Sequence, residues 1–300
     1  MKKKTYLIAL MAMALTLGSC SDNENGIGGE TSKYITVSTS IGNMTRVATD
    51  AKGGQTFEEG DEISVYAWTG APTVAPETSE RVVNNAINKL TNGAWVSTPQ
   101  MLWKNNREKH YFIGVYPTAA ISDLSAGEYT FDANKQTESD LLVAVNPDGL
   151  SYSADAQQTV PLTFTHVMAK LAVNLTYKNQ WGGIPTVEKV VVGNAAKEAT
   201  INYLTKVVTP STTAKEDFSL PEITENTKYV SVIIPQEDVT QLTIVIGGKN
   251  FVYDNGTPFK LESGKITTVN LEVGRDEIKL GDVKITDWED GSTFGGEALN

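Results

Sequence analysis

The sequence has 300 residues, with 25 basic and 36 acidic side chains, a net charge of −11 near neutrality, and 40% apolar residues. That acidic surplus argues against nucleic acid or an anionic lipid surface as a partner, because both would repel the chain. The only cysteine is Cys20, which excludes an internal disulfide and leaves buried apolar surface to hold the fold.

Taken in chain order, the first element is a leader. "MKKKTYLIALMAMALTLGSC" joins three lysines to an apolar run from Tyr6 to Leu17 that is too short to span a bilayer, then to small residues and Cys20. Residues 1–19 read as a signal peptide, and Leu17–Cys20 resembles a bacterial lipobox, in which the bond before the cysteine is cut and the thiol acylated. An ordinary signal with an incidental cysteine is the alternative. Several acyl chains, at about 0.8 kcal/mol per buried methylene, anchor a protein that one chain would hold only marginally. Loss of residues 1–19 removes three lysines and no acid, leaving 22 basic against 36 acidic residues and a net charge of −14. Residues 20–32, polar and glycine-bearing, read as a flexible tether. Their acids resemble the signals that send some Gram-negative lipoproteins to the outer face of the outer membrane.

Beyond the tether the apolar residues recur with period two. In "KYITVSTSIG", Ile35, Val37, Thr39 and Ile41 share one face. "IGNMTRVATDAKGGQTF" follows, with Arg46, one of only four arginines, amid small and polar residues. It is either a solvated loop residue or a processing site. "DEISVYAW" places Ile63, Val65 and Ala67 on one face, and "HYFIGVYP" does the same for Tyr111, Ile113 and Val115. "SERVVNNAINKL" is a helix candidate that its asparagines and the following Asn92-Gly93 weaken, so the helix is expected to be short or absent. The second half brings "AKLAVNLTY", "VEKVVVG", "ATINYLT", "YVSVIIP", "LTIVIGGKNFVY" and "ITTVNLEV". Asn92-Gly93, Gly247-Gly248 and Asn255-Gly256 read as turns tolerant of positive φ. Short β-branched and aromatic runs separated by turn residues predict an all-β sandwich protein. The length suits two sandwiches, 33–157 and 158–300, divided within the aperiodic stretch 145–162.

Catalytic chemistry is hard to assemble from these residues. His110 and His166 sit inside strand-like runs without zinc-ligand spacing, and no phosphate loop or nucleophile elbow is present. No enzyme activity, metal or cofactor is therefore expected. Glu58, Glu59, Asp61 and Glu62, and likewise Asp287, Glu289 and Asp290, could offer oxygen ligands but lack EF-hand spacing and read as solvated turns. Of five tryptophans, Trp181 alone lies in a glycine-rich loop, "KNQWGGIP", and is the candidate for stacking on a sugar.

"TRVATD", "TFEEGDEISVYAW", "MLWKNNREKHYFIGVYP", "SDLLVA", "LTFTHVMAKLAVNL", "LESGKITTVNL" and "ITDWEDGS", in that order, resemble the fimbrillin family, lipoprotein precursors of the type V pili of Gram-negative anaerobes. The resemblance implies two transthyretin-like β-sandwich domains after the signal peptide and tether. It also implies surface export as a lipidated precursor, followed by a cut after an arginine beyond the first strand, here between Arg46 and Val47. The released strand would carry Ile35, Val37, Thr39 and Ile41, and a donor strand of another pilus subunit would fill its groove. "DEIKLGDVKITDW" is a candidate donor through Ile278, Leu280, Val283 and Ile285, with Gly281-Asp282 breaking the register; equally, it is the last strand of its own domain. The expectation is an adhesive pilus subunit, anchored in the outer membrane through Cys20 and moved to the fimbrium by processing, with a host or bacterial surface glycan or protein as its target. A monomeric surface lipoprotein that binds glycans is the alternative.

Overall fold

The computed structural model describes residues 33–42, 56–153 and 158–288. Among these, the first eight strands are β1 (Thr36–Ile41), β2 (Glu62–Thr69), β3 (Val83–Thr91), β4 (Ala94–Thr98), β5 (His110–Tyr116), β6 (Gly127–Thr130), β7 (Leu142–Leu150) and β8 (Thr159–His166). The second half continues with β9 (Ala169–Tyr177), β10 (Val187–Ala196), β11 (Glu198–Asn202), β12 (Val207–Pro210), β13 (Lys215–Leu220) and β14 (Glu222–Thr224). It closes with β15 (Lys228–Ile233), β16 (Gln236–Ile246), β17 (Lys249–Leu261), β18 (Lys265–Val273) and β19 (Ile278–Asp287). The all-β class expected from the period-two pattern is what the chain adopts. The helix candidate reduces to one 3₁₀ turn, Thr78–Glu80, ahead of β3.

Turn chemistry explains two of the hairpins. Asn92 and Gly93 (φ 52° and 74°) join β3 to β4, and Gly247 and Gly248 (φ 58° and 73°) join β16 to β17. Paired positive φ values match the twist of antiparallel strands. Asn255-Gly256 does not reverse the chain. It lies within β17, and the register against β16 shifts across it, from Asp254 opposite Gln241 to Phe259 opposite Val239.

A seven-stranded sheet runs in the order β1-β8-β7-β5-β2-β3-β4 and curls until its edges meet. The Trp95 indole N–H on β4 donates to Thr39 Oγ1 on β1 at 3.0 Å. Central strands such as β2 are covered on both faces, so their burial does not alternate. Ile63, Val65 and Ala67 enter the inner core, which also holds Ile35, Val37, Phe112, Leu162 and Phe164. Tyr66 and Trp68, one residue out of phase, enter a second core shared with β9, β10, β16 and β18.

The remaining strands form sheets ordered β13-β10-β16-β17, β12-β11-β6 and β14-β15-β9-β18-β19. Two strands cross the chain midpoint. β8, just after the compositional division at 157/158, hydrogen-bonds to β7 and β1, and β6 pairs with β11.

Candidate strand-exchange site

β1 is short and lies at the edge of its sheet, paired with β8 on one side. It runs parallel to β8, from Thr36 opposite Thr159 to Ile41 opposite Phe164, and the Gly42 N–H donates to Phe164 O at 2.8 Å. Just ahead of it, the Ile35 N–H donates to Met101 O at 2.9 Å and Lys33 O accepts from the Trp103 N–H at 3.2 Å. The first described residues therefore close the gap between β8 and the segment after β4.

The side chains follow the strand's two-residue period. Ile35 and Val37 are buried (2% and 6% exposed), while Thr39 and Ile41 are half-buried on the same face. Burying two such aliphatic side chains contributes about 1.5–3 kcal/mol each. The outward face is uncharged, with Thr36 and Ser40 hydroxyls 3.2 Å from those of Thr159 and Thr163.

The stretch carrying Arg46 and Val47, residues 43–55, lies outside the described residues, as do Cys20 and the rest of 1–32. The described residues flanking it have defined partners. The chain leaves at Gly42, bonded to Phe164 O, and returns at Phe57, whose ring stands edge-on to Phe164, Trp95 and Tyr116 with centroids 5.1, 5.3 and 5.4 Å away. Exit and return thus share one neighbour.

At the other terminus, β19 forms the edge of its sheet, antiparallel to β18. Leu280, Val283 and Ile285 lie opposite Leu271, Val269 and Thr267, whose side chains are buried, so all six share the core-facing side. Even so, Leu280, Val283 and Ile285 remain 37–40% exposed, and Ile278 is half-buried. Gly281 falls where the register shifts, between Asp282 opposite Asn270 and Leu280 opposite Leu271. This bulge keeps the four apolar side chains on one face. Trp288, which follows, is 3% exposed. That burial is what the sequence leads one to expect, because the indole lies beside an alternating apolar run.

The other candidates have internal partners. The Trp181 indole N–H donates to Val273 O at 3.0 Å, its ring meets Phe251 edge-on, and the Arg275 guanidinium lies 5.6 Å from its centroid. Trp181 is thus half-buried, with internal partners for its N–H, its ring edge and one face. His110 is fully buried, accepts the Lys104 N–H at Nε2 (3.0 Å) and has its basicity lowered, chiefly by desolvation. His166 Nδ1 lies 2.8 Å from Asp140 Oδ1. Asp61 and Glu59 accept the backbone N–H groups of Glu58 and Asn92, and Glu62 pairs with Lys89. Asp61 and Glu59 thus organise turns, whereas Glu62 makes a cross-strand pair from β2 to β3. Asp287 pairs with Lys265, while Glu289 and Asp290 lie outside the described residues.

These observations define an all-β protein with two cores and, among the described residues, its first and last strands at sheet edges. The chain belongs to the fimbrillin-like family, whose model matches residues 45–288. Its fold is similar to the crystal structure of a candidate cell adhesion protein from Bacteroides ovatus, at TM-score 0.62 and 18% identity, covering 85% of this chain and 98% of that one. A second candidate cell adhesion protein, from Bacteroides uniformis, aligns at TM-score 0.60 and 18% identity over 86% and 100% of the two chains. A fimbrial protein from Bacteroides vulgatus aligns at 0.53 and 12% over 86% and 100%. At these identities the likeness is one of fold. Compared by sequence with curated proteins, the chain has no match. Family membership supports a cell-surface pilus subunit without an enzymatic role.

Proposed function

We propose that this chain is a structural, adhesive subunit of a fimbrium, exported as an outer-membrane lipoprotein acylated at Cys20 and matured by a cut between Arg46 and Val47. Polymerisation follows by strand exchange. The cut frees β1 from the body and, in the same event, detaches the body from its lipid. Departure of β1 uncovers the β8 edge and a slot emptied of Ile35 and Val37, which a strand of another subunit fills with main-chain hydrogen bonds and alternate side chains. β19, with Ile278, Leu280, Val283 and Ile285 on one face, is the candidate donor. The units 33–157 and 158–300 are proposed as the two sandwiches, each contributing a strand to the other's sheets.

The observation that carries this reading is the placement of β1. It closes an apolar core at a sheet edge, is the first strand of the described chain, and is joined to the body through the stretch that contains Arg46. The family match, beginning at residue 45, spans the body that would remain after the cut. Purified precursor incubated with an arginine-specific protease should lose the mass of the segment ending at Arg46 and then form a ladder of multimers. Arg46→Ala should abolish both. Multimers forming equally well from uncut Arg46→Ala protein would overturn the mechanism.

A further inference from the structure

The ends of β1 and β19 meet at one cleft. It measures about 200 Å³ and is lined by Gly42 together with His166, Gly264, Lys265, Asp287 and Trp288. Gly42 is the last described residue before the Arg46 stretch, and Trp288 directly follows β19. No residue of β19 itself is buried, so Trp288 is the one deep anchor at that end of the strand.

The indole is held on several sides. Its ring stacks on His166 with centroids 4.0 Å apart and planes 7° from parallel, and the buried Lys170 ammonium sits 4.0 Å from its centroid. The backbone is tied as well: the Trp288 main-chain N–H donates to Gly264 O, and the Gly264 main-chain N–H donates to Met168 O, both at 2.9 Å. His166 in turn closes β8, the strand on which β1 lies, two residues beyond the Phe164 carbonyl that accepts the Gly42 N–H. One short piece of β8, Phe164–His166, therefore carries the end of β1 on its backbone and the anchor of β19 on a side chain.

From this juxtaposition we infer that Trp288 is a latch by which the C-terminal strand senses whether β1 is in place. While β1 occupies the β8 edge, Gly42 walls the cleft and keeps the end of β8 in the geometry that His166 needs to stack. When β1 leaves, that wall and the Gly42–Phe164 bond go with it, the Trp288–His166 stack loosens, and β19 frays from its C-terminal end. Processing at one terminus then arms the other, so subunits still carrying β1 keep β19 docked and do not engage one another early. The inference rests on β1 being the strand that leaves, as proposed above.

Coupling is reciprocal, so it can be read in uncut protein. Amide hydrogen exchange is measured by mass spectrometry on the full chain, as wild type, Trp288→Ala and Trp288→Phe. Exchange across 278–287 and across 36–42 should rise together, by about tenfold or more in the alanine variant and less in the phenylalanine variant, while β2 and β5 stay protected. Loosening of β19 alone, with β1 and Gly42 at wild-type rates, overturns the latch and leaves Trp288 a local anchor; no change at either strand also overturns it. Should the alanine variant unfold, seen as fast exchange in β2 and β5, the phenylalanine variant decides. The maturation route is tested separately, because a wild-type chain that resists cutting at Arg46 refutes that route whatever the uncut variants show.

Discussion

Gly114 sits in the middle of β5, facing the inner core, where a Cβ would lie 2.6 Å from the Phe164 ring and 3.1 Å from Leu162. Phe164 is itself fully buried and braced edge-on by Phe57, so the ring has little room to retreat. Gly114→Ala should therefore destabilise the protein by about 1–3 kcal/mol, the usual cost of overpacking, read as a lower denaturant midpoint at unchanged slope. A shift below about 0.3 kcal/mol would mean that Phe164 moves freely. In the sequence, Gly114 looks like an ordinary break in an aromatic strand; its role comes from a ring on a strand fifty residues away. The same holds at other single positions. That Ile35 and Val37 point inward was legible from alternation, because a strand's two faces differ by parity alone. The engagement of Trp181 by Val273 and Arg275 was not, because both partners lie more than ninety residues on.

At the scale of elements, β1 and β19 differ in how they are held, and the difference is measurable. Ile35 contributes a fully packed side chain just ahead of β1, so Ile35→Ala should cost about 2–5 kcal/mol in the uncut chain, through lost burial and the cavity left behind. In a chain whose β1 has departed after cleavage, the same substitution should have no effect on the body's melting curve. An equal loss in both forms would show that β1 never leaves. β19 is held at its N-terminal end by the ion pair of Lys178 with Glu277, which keeps the glutamate carboxyl below its ordinary range. A depressed carboxylate stabilises the fold at pH values above its unfolded pKa, and that contribution disappears as pH falls through the folded value. The Glu277 carboxyl resonance should titrate below the normal glutamate midpoint of about 4.3 and rise toward it in Lys178→Met, with Lys279 still holding it down in part. A midpoint that does not move in the variant would remove Lys178 as the cause. Most strands were legible because each is a β-branched run bounded by turn residues. Their partners were not. The parallel pairing of β1 with β8 joins residues 123 apart, and nothing local specifies it.

Across the whole molecule, the two halves exchange more than a linker. The stretch 145–162 reads as a boundary because it is polar, aperiodic and proline-bearing, yet β7 extends into it to Leu150 and β8 begins within it at Thr159. β8 completes the first sheet, β6 pairs with β11, and Tyr66, Trp68, Ile113 and Val143 from the first half share one core with Val173, Val190, Ile244 and Val269 from the second. Neither half could unfold alone without tearing strands from the other's sheets and exposing that shared core to water. The cost of opening one half therefore includes most of the cost of opening both, which is the condition for all-or-none unfolding. Equilibrium denaturation of the chain should show one transition, with tryptophan fluorescence and far-ultraviolet circular dichroism superimposing within error. The tryptophans sample both regions, because Trp95 and Trp103 pack on the inner core whereas Trp68 and Trp288 belong to the shared one. Two resolved transitions, or a fluorescence change that precedes the loss of strand signal, would show that the shared core yields before the sheets do. The halves would then be independent units that merely touch. A single transition has a consequence for assembly: a donor strand bound at the β8 edge in the first half would stabilise the second half as well, so each added subunit would gain rigidity along its whole length.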